Sequence, residues 1–195
     1  MTTFLLVRHA VHATVDMILV GRMAGVGLCE EGYAQATRLA DRLANTPVAA
    51  IQSSPRRRAH ETAEAIAARA DLPVEIAPEL DEIDVGEWTG RSFDELRPDP
   101  DWIRWNTDRA HARPPGGESM QELQRRVIGL FNRLDLKHPD DAIVMVTHAE
   151  VIRAALLHYL GLSLDAFAAI EVRPASVSTL QVSGRNGIVL AVNEA

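Results

Sequence analysis

Basic and imidazole side chains follow three separate apolar runs of the sequence, at the point where each run ends. Arg8 and His9 follow the first run, Arg58 comes shortly after the second, and His148 follows the third. If these runs are parallel strands of one sheet, their carboxyl ends meet at one edge, where open α/β sheets bind ligands. Helix N-termini at that edge add partial positive charge and N–H donors. The pattern predicts a pocket for a small, highly charged anion, with phosphate the first candidate.

The spacing of apolar residues indicates the elements that must hold these side chains. Short apolar runs predict buried strands at 3–7, 48–52 and 142–146, with a shorter one at 74–76. Helical spacing predicts helices at about 30–44, 56–70, 118–136 and 150–160. Further strands are predicted near 168–172, 176–182 and 188–192, with a hairpin turn at 183–187. This alternation predicts a single α/β domain over residues 1–195, a three-layer sandwich whose mainly parallel central sheet has helices on both faces.

The segment from about 78 to 117 interrupts this alternation. It is rich in Pro, Gly and Asp, and it holds all three tryptophans, Trp88, Trp102 and Trp105. A connection of this length is out of scale with ordinary loops, so we expect loops and short helices that cover one face of the domain. Trp102 and Trp105 fit either a wall of the substrate pocket or ordinary packing within the cover segment.

The composition of the chain limits the kinds of partner that we expect the protein to bind. A formal net charge of −7 disfavours a general nucleic-acid binder. The single cysteine, Cys29, cannot form a disulfide within the chain and fits a reducing compartment. No stretch approaches the roughly 20 apolar residues of a membrane span, and the N-terminus lacks the pattern of a signal peptide. We therefore expect a cytoplasmic protein without nucleic-acid or membrane partners.

The seven histidines show no paired metal-ligand motif, and we expect no metal and no other cofactor.

Around Arg8, His9, Arg58 and His148 the sequence resembles the histidine phosphatase superfamily, also called the phosphoglycerate-mutase-like fold. Five segments carry the resemblance: Leu6-Val7-Arg8-His9-Ala10, Ser53-Ser54-Pro55 with Arg58-Ala59 and Glu61-Thr62-Ala63, Leu80 to Gly90 with Glu82, Gly86 and Trp88, Pro115 to Ser119, and Val146 to Ala149 with Val151-Ile152-Arg153. They occur in family order between Phe4 and Ala154, which is most of the chain. Five ordered motifs are far more specific than an isolated Arg-His pair.

The resemblance implies a role for each matching residue. His9 would be the nucleophile, and Arg8, Arg58 and His148 would hold the phosphoryl oxygens. Glu82 would donate a proton to the leaving group, with Asp81 and Asp84 as its rivals in the same acidic loop. Fixed cations of this kind can stabilise the charge that a metal ion stabilises elsewhere, which is the physical reason to expect a metal-independent enzyme.

The chemistry sets requirements on two protonation states. His9 must attack as neutral imidazole, and the neighbouring arginines should lower its pKa. Glu82 must hold a proton, and a position close to an anionic phosphate should raise its pKa. Arg22 is expected to face the pocket and contact substrate. Arg56 and Arg57 are expected to be solvated or to contact remote parts of the substrate.

The leading hypothesis is a phosphatase that hydrolyses a small phosphomonoester through a phosphohistidine on His9. The alternatives are a phosphoglycerate mutase, a phosphatase acting on phosphorylated proteins including phosphohistidine, and a non-catalytic binding module on the same fold. The segment 10–15 lacks residues that many family members carry after Arg-His, which disfavours phosphoglycerate substrates. The expected partner is a small phosphorylated metabolite, and an apolar edge strand near the C-terminus could pair two subunits as a homodimer.

Overall fold

The computed structural model describes residues 1–14 and 17–195, so that Val15 of the segment just mentioned lies outside the described residues. The described strands are β1 (Thr2–Arg8), β2 (Ala50–Ser53), β3 (Val74–Ile76), β4 (Ala142–Thr147), β5 (Val177–Ser183) and β6 (Asn186–Glu194). The described α-helices are α1 (Glu30–Leu43), α2 (Arg57–Ala70), α3 (Phe93–Leu96), α4 (Pro100–Thr107), α5 (Met120–Lys137) and α6 (Ala149–Tyr159). The long helices and most strands therefore begin and end within two residues of their predicted positions.

The strands form one sheet in the order β3-β2-β4-β1-β5-β6. The first four are mutually parallel, β5 is antiparallel to β1, and β6 is antiparallel to β5. Register places Arg8 beside Thr147 and Ser53 beside Val146. The carboxyl ends of β1, β2 and β4 consequently meet at one edge, which confirms the mainly parallel sheet and brings the three predicted junctions together.

Alternating side chains of the central strands divide the core into two layers. Leu5, Val7 and Val146 point toward one face, where α1 and α2 cover them with Leu39, Ala63 and Ile66 among others. Phe4, Leu6 and Met145 point toward the opposite face, where α5 and α6 supply Leu123, Phe131 and Leu156. Helices on both faces of the sheet match the predicted three-layer sandwich.

The segment 78–117 consists of loops and short helices, as predicted. It contains two 3-10 turns, Pro78–Leu80 and Gly86–Trp88, followed by α3 and α4. Trp88 and Trp105 are buried in the same core layer as α5 and α6. Gly86 has a φ of 54°, and a Cβ there would lie 2.1 Å from the Pro115 carbonyl oxygen, so both ends of the segment meet where only glycine fits.

The predicted strand at 168–172 is wrong. A 3-10 helix occupies Leu164–Ala169, and an irregular stretch follows it. The edge of β1 that this stretch could have joined is already paired with β5. Its backbone acceptors are used by side chains instead, because Arg153 Nε donates to the Ile170 carbonyl and Arg8 donates to the Val172 carbonyl.

Two further features bear on the predicted partners. The apolar edge strand is β6, where Ile188, Leu190 and Val192 are all more than two-fifths exposed, and the homodimer stays a prediction. No helix in the described ranges combines the length and the apolar character needed to cross a bilayer.

Candidate active site

His9 lies just beyond the end of β1 and is fixed through its backbone and its ring. Its N–H donates to the Thr147 carbonyl over 2.9 Å, and its Nδ1 lies 2.8 Å from the Ala10 carbonyl oxygen. Because a carbonyl can only accept, Nδ1 carries the hydrogen and Nε2 has the lone pair. Burial, with the positive charge of Arg58 as the next cause, holds the pKa of His9 well below its usual value of 6.5. The ring is therefore neutral, as the chemistry of a nucleophile requires.

Arg58, in the first turn of α2, is the buried cation beside this ring. Its Nε donates to His9 Nε2 over 3.2 Å, and its Nη2 donates to the Gly21 carbonyl over 2.8 Å and to His148 Nδ1 over 3.2 Å. Its Nη1 is buried and has no hydrogen-bond partner within the described part of the chain. Only 2% of the residue is exposed. A buried guanidinium nitrogen without an acceptor is costly, so this position is prepared for an anionic oxygen.

His148 is the N-cap residue of α6 and is fully buried. Because Arg58 can only donate, Nδ1 of His148 accepts, and its Nε2–H then donates to Ser54 Oγ over 2.8 Å. Burial, reinforced by Arg58, lowers the pKa of His148 well below 6.5. His148 is thus neutral in this structure.

Arg8 completes the cationic group at the sheet edge. Its Nη1 donates to the Val172 carbonyl over 2.6 Å, and the side chain lines a cavity that Glu82 also borders. Its charge also contributes to the lowered pKa of His9. The structure therefore brings together Arg8, His9, Arg58 and His148, which come from three separate junctions.

Glu82 is the carboxyl group of the acidic loop that reaches this cluster. Its Oε2 lies 3.7 Å from His148 Nδ1, and its Oε1 accepts from the Ile83 N–H over 2.9 Å. Burial raises the pKa of Glu82 from 4.5 to about 7, in spite of the opposing charge of Arg58. A carboxyl group with this pKa is protonated for much of the time near neutrality and can act as a proton donor.

Asp81 and Asp84, the two alternatives to Glu82 as proton donor, have other hydrogen-bond partners. Asp81 forms a bidentate ion pair with Arg56 through two hydrogen bonds of 2.8 Å. Asp84 accepts from the Gly86 N–H over 2.9 Å and is not among the residues that line the cavity. The pairing with Asp81 also corrects the expectation for Arg56, which is only partly exposed, fixes the acidic loop and does not line the cavity. Arg57 is exposed and pairs with Glu61, so it is solvated as predicted.

Arg22 does not face the cavity, contrary to the prediction. Its Nε donates to the Glu82 carbonyl over 2.7 Å and its Nη2 donates to Glu118 over 2.9 Å. Glu118 also pairs with Arg126 on α5, which donates to the Glu82 carbonyl as well. These side chains hold the backbone of Glu82 in place. The sequence motifs pointed to Glu118, but nothing in the sequence pointed to Arg126.

The cavity that Glu82 and Arg8 line has a volume of about 390 Å³ and extends toward the cover segment. Its walls include Leu19, Phe93, Trp102, Trp105 and Phe167. Both tryptophans that sequence analysis singled out therefore line it, and Trp105 is also part of the core. Arg8 and Glu82 therefore belong both to the cluster at the sheet edge and to the lining of this cavity, which has aromatic and charged walls.

Sequence reasoning missed the other charged residues of that cavity. Arg109 and Glu150 form a largely buried ion pair of 3.0 Å, and Glu150 also pairs with Arg153 at 3.0 Å. Glu150 follows the His148 motif closely, which was a signal of proximity. Arg109 had no local signal, because only the path of the cover segment brings it near α6. No three His, Cys, Asp or Glu side chains within residues 1–14 and 17–195 are grouped so as to hold a metal ion.

Known proteins resemble this chain along its whole length. The histidine phosphatase superfamily (branch 1) matches residues 4–195. Phosphoserine phosphatase 1 of Hydrogenobacter thermophilus is 31% identical over 198 aligned positions, which cover 99% of this chain and 92% of that protein. The adenosylcobalamin/α-ribazole phosphatase of Salmonella typhimurium is 32% identical over 158 positions, covering 80% of this chain and 78% of the relative.

Solved structures agree with this relationship. The Bacillus stearothermophilus protein YhfR superposes with a TM-score of 0.93 at 26% identity, covering 100% of this chain and 98% of the other. A mycobacterial glucosyl-3-phosphoglycerate phosphatase superposes with a TM-score of 0.89 at 26% identity, covering 99% of both chains. These matches confirm the predicted fold, and they confirm a phosphatase at the level of the family. The chain belongs to the histidine phosphatase superfamily, branch 1.

Proposed function

We propose that this protein hydrolyses a small phosphomonoester in two phosphoryl transfers, with His9 as the temporary carrier. The observation that carries the proposal is the pairing of a neutral His9, whose Nε2 has the lone pair, with the partnerless buried Nη1 of Arg58. Phosphoryl transfer depends mainly on positioning and on stabilising charge on the equatorial oxygens. Arg8 and Arg58 supply planar donors suited to those oxygens.

In the first transfer, His9 Nε2 attacks the phosphorus atom from the side opposite the leaving group. The phosphoryl oxygens take over the Arg58 N–H that points at Nε2 in this structure. The bond from phosphorus to the ester oxygen breaks, and that oxygen takes the proton of Glu82 as it leaves. The product alcohol departs, and a phosphohistidine and an ionised Glu82 remain.

In the second transfer, water attacks the same phosphorus atom. The Glu82 carboxylate accepts a proton from this water while the bond between phosphorus and Nε2 breaks. Inorganic phosphate leaves, and neutral His9 and protonated Glu82 are restored. A pKa of about 7 suits Glu82 to both tasks, because neither protonation state is strongly disfavoured near neutrality.

The cavity supports a small-molecule substrate. It is bounded by the cover segment and holds about 390 Å³, within the usual range of small-molecule sites. The relatives are named for phosphoserine, for adenosylcobalamin/α-ribazole and for glucosyl-3-phosphoglycerate as substrates. We extend from them only the class, a small phosphorylated compound. A mutase would have to return the phosphoryl group to its product, so phosphate release distinguishes the two activities.

The test compares wild-type protein with His9→Ala on a panel of phosphomonoesters in the presence of a chelator. His111→Ala is the matched control, because His111 is exposed and is not among the residues that line the cavity. We expect phosphate release by the wild type and by the control, none by His9→Ala, and an alkali-stable phosphorylated protein only where His9 is present. Isomer formation without phosphate release, or activity that requires added magnesium, would contradict the proposal.

A further inference from the structure

The wall of the cavity formed by α6 and the end of the cover segment carries three charged residues that the proposed mechanism does not use. Glu150 lies between two arginines, with Arg109 Nη1 3.0 Å from its Oε2 and Arg153 Nη1 3.0 Å from its Oε1. All three line the cavity together with Glu82 and Arg8. This group, Arg109, Glu150 and Arg153, is called the charged wall below.

Arg109 serves to hold the charged wall in place. Its guanidinium lies between two rings, 4.4 Å from the centre of Trp105 and 3.9 Å from that of Phe167. Its three nitrogens donate to the Trp105 carbonyl, to Glu150 and to Asn106. With both faces covered and each nitrogen bonded, Arg109 is fixed and it orients Glu150.

Arg153 differs from Arg109 because one of its guanidinium nitrogens makes no hydrogen bond within the part of the chain that the structure describes. Its Nε donates to the Ile170 carbonyl and its Nη1 donates to Glu150, whereas its Nη2 has no hydrogen-bond partner among the described residues. The side chain is 22% exposed. Two arginines and one glutamate leave one net positive charge on this wall. A fixed, partly desolvated cation with an unused N–H pair is suited to a carboxylate or another anionic group.

The space in front of the charged wall is bordered by apolar side chains and is larger than a small hydroxy acid needs. Leu19, Phe93, Trp102 and Trp105 border the cavity. At about 30 Å³ for each water, a volume of about 390 Å³ holds on the order of a dozen waters. A leaving group of three carbons would leave much of this apolar surface wet, while a ring would displace that water and contact the aromatic walls.

We infer that this cavity selects phosphomonoesters whose leaving group has a ring-sized apolar body and a separate anionic group, with the anion bound by Arg153 Nη2. The inference rests on the proposed phosphatase function and adds the class of leaving group. Arg153 is a specificity-determining residue in this account, and Arg109 and Glu150 are positioning residues.

The test uses three substrates that separate the two features of the leaving group. Benzyl phosphate has the ring without the anion, phosphoglycolate has the anion without the ring, and 4-carboxybenzyl phosphate has both. The two benzyl substrates have closely similar ester bonds, so their kcat/KM ratio reports recognition of the carboxylate. 4-Nitrophenyl phosphate, whose leaving group needs little protonation, serves as the reference for phosphatase chemistry itself.

Two variants shift the charge of the wall in opposite directions. Arg153→Gln removes the donor and should lower the ratio of 4-carboxybenzyl to benzyl phosphate by about tenfold or more, as expected for a lost charge-assisted hydrogen bond. Glu150→Gln removes the negative charge and should raise the same ratio severalfold. General damage to the fold would lower both activities together and leave the ratio unchanged. Arg125→Gln is the matched control, since Arg125 is exposed on α5, away from this cavity.

The outcomes separate this inference from the function on which it rests. A wild-type preference for 4-carboxybenzyl phosphate over both other substrates, with opposite shifts in the two variants, supports it. Hydrolysis of 4-nitrophenyl phosphate without that preference, or variants whose ratio equals that of the control, overturns this inference alone. Failure to hydrolyse any of the four substrates overturns the proposed function and this inference with it.

Discussion

Glu82→Gln should make the folded protein more stable at alkaline pH while it removes the proposed acid. The Glu82 side chain is 15% exposed, and burial is the main reason why the pKa of its carboxyl group is raised to about 7. A raised carboxyl pKa means that the folded state disfavours the ionised form. Glutamine keeps the shape and can still accept from the Ile83 N–H, but it carries no charge to bury.

The size and the pH range of the effect follow from this shift. Between the ordinary value of 4.5 and about 7, the rise is roughly 2.5 pKa units, and each unit corresponds to about 1.4 kcal/mol. Below pH 4.5 the group is protonated in both states and costs nothing. As pH rises from 4.5 to about 7, the unfolded chain ionises first and folding becomes less favourable. Above pH 7 the penalty levels off at about 3.5 kcal/mol.

The assay is urea unfolding followed by tryptophan fluorescence at several pH values from 4.5 to 9. We expect the midpoint of Glu82→Gln to coincide with that of the wild type near pH 4.5 and to exceed it increasingly up to about pH 8. The urea dependence of the unfolding free energy should stay unchanged. Glu87→Gln is the matched control, because Glu87 is an exposed glutamate in the same segment. The difference between its urea midpoint and that of the wild type should be the same at every pH.

Two results would refute the reasoning. If Glu82→Gln and wild type differ by the same amount at every pH, the ionisation of Glu82 does not oppose folding. If Glu82→Gln is less stable at pH 8, its carboxylate is stabilised by Arg58 more than it is penalised by burial. Activity gives an independent check, since loss of a positioned acid typically lowers kcat by a factor of about a hundred or more.

Three further predictions use the same structure. With an alkyl phosphate as substrate, kcat/KM should fall as pH rises through about 7, because Glu82 loses its proton, and should persist well below pH 6.5, because the lowered pKa keeps His9 neutral; a profile that is flat from pH 5 to 9 would contradict the assigned acid. Arg58→Lys should lower kcat/KM by about a hundredfold or more, since a compact ammonium group cannot reproduce the planar fork that bonds to His9, Gly21 and His148 and still leaves Nη1 for a phosphoryl oxygen; activity within a few-fold of the wild type would be evidence against it. Leu123→Ala should lower the unfolding free energy by about 2 to 5 kcal/mol, because the side chain is fully buried between α5 and the sheet; a change of less than 1 kcal/mol in urea unfolding would be inconsistent with that packing.

Some features at the helix ends follow from neighbouring residues alone. Cysteine is a poor capping residue, and Cys29 at the N-cap of α1 makes no side-chain capping hydrogen bond. Ser119 is three residues before Glu122, and the two form a capping box at the start of α5. Capping depends on a few neighbouring residues, so features of this kind need no tertiary structure to be predicted.

Other expectations failed because their outcome depends on distant residues. Arg22 and Arg56 were expected near the substrate or in solvent. Both instead form hydrogen bonds with residues more than 20 positions away in the sequence. The predicted strand at 168–172 had a suitable apolar pattern, but the edge of β1 that it could have joined is paired with β5. Local patterns measure propensity, and competition for partners is decided only when the chain is folded.

The sequence by itself determined the alternation of strands and helices, the two faces of the core and the residues Arg8, His9, Arg58, His148 and Glu82, because periodicity and ordered motifs are properties of chain order. The tertiary structure decided how these residues are protonated and what surrounds them. Burial keeps His9 and His148 neutral and raises the pKa of Glu82 to about 7. Packing of the cover segment against α6 creates the ion pair between Arg109 and Glu150. Desolvation and the distances between charges arise from residues far apart in the chain, so only the folded protein sets them.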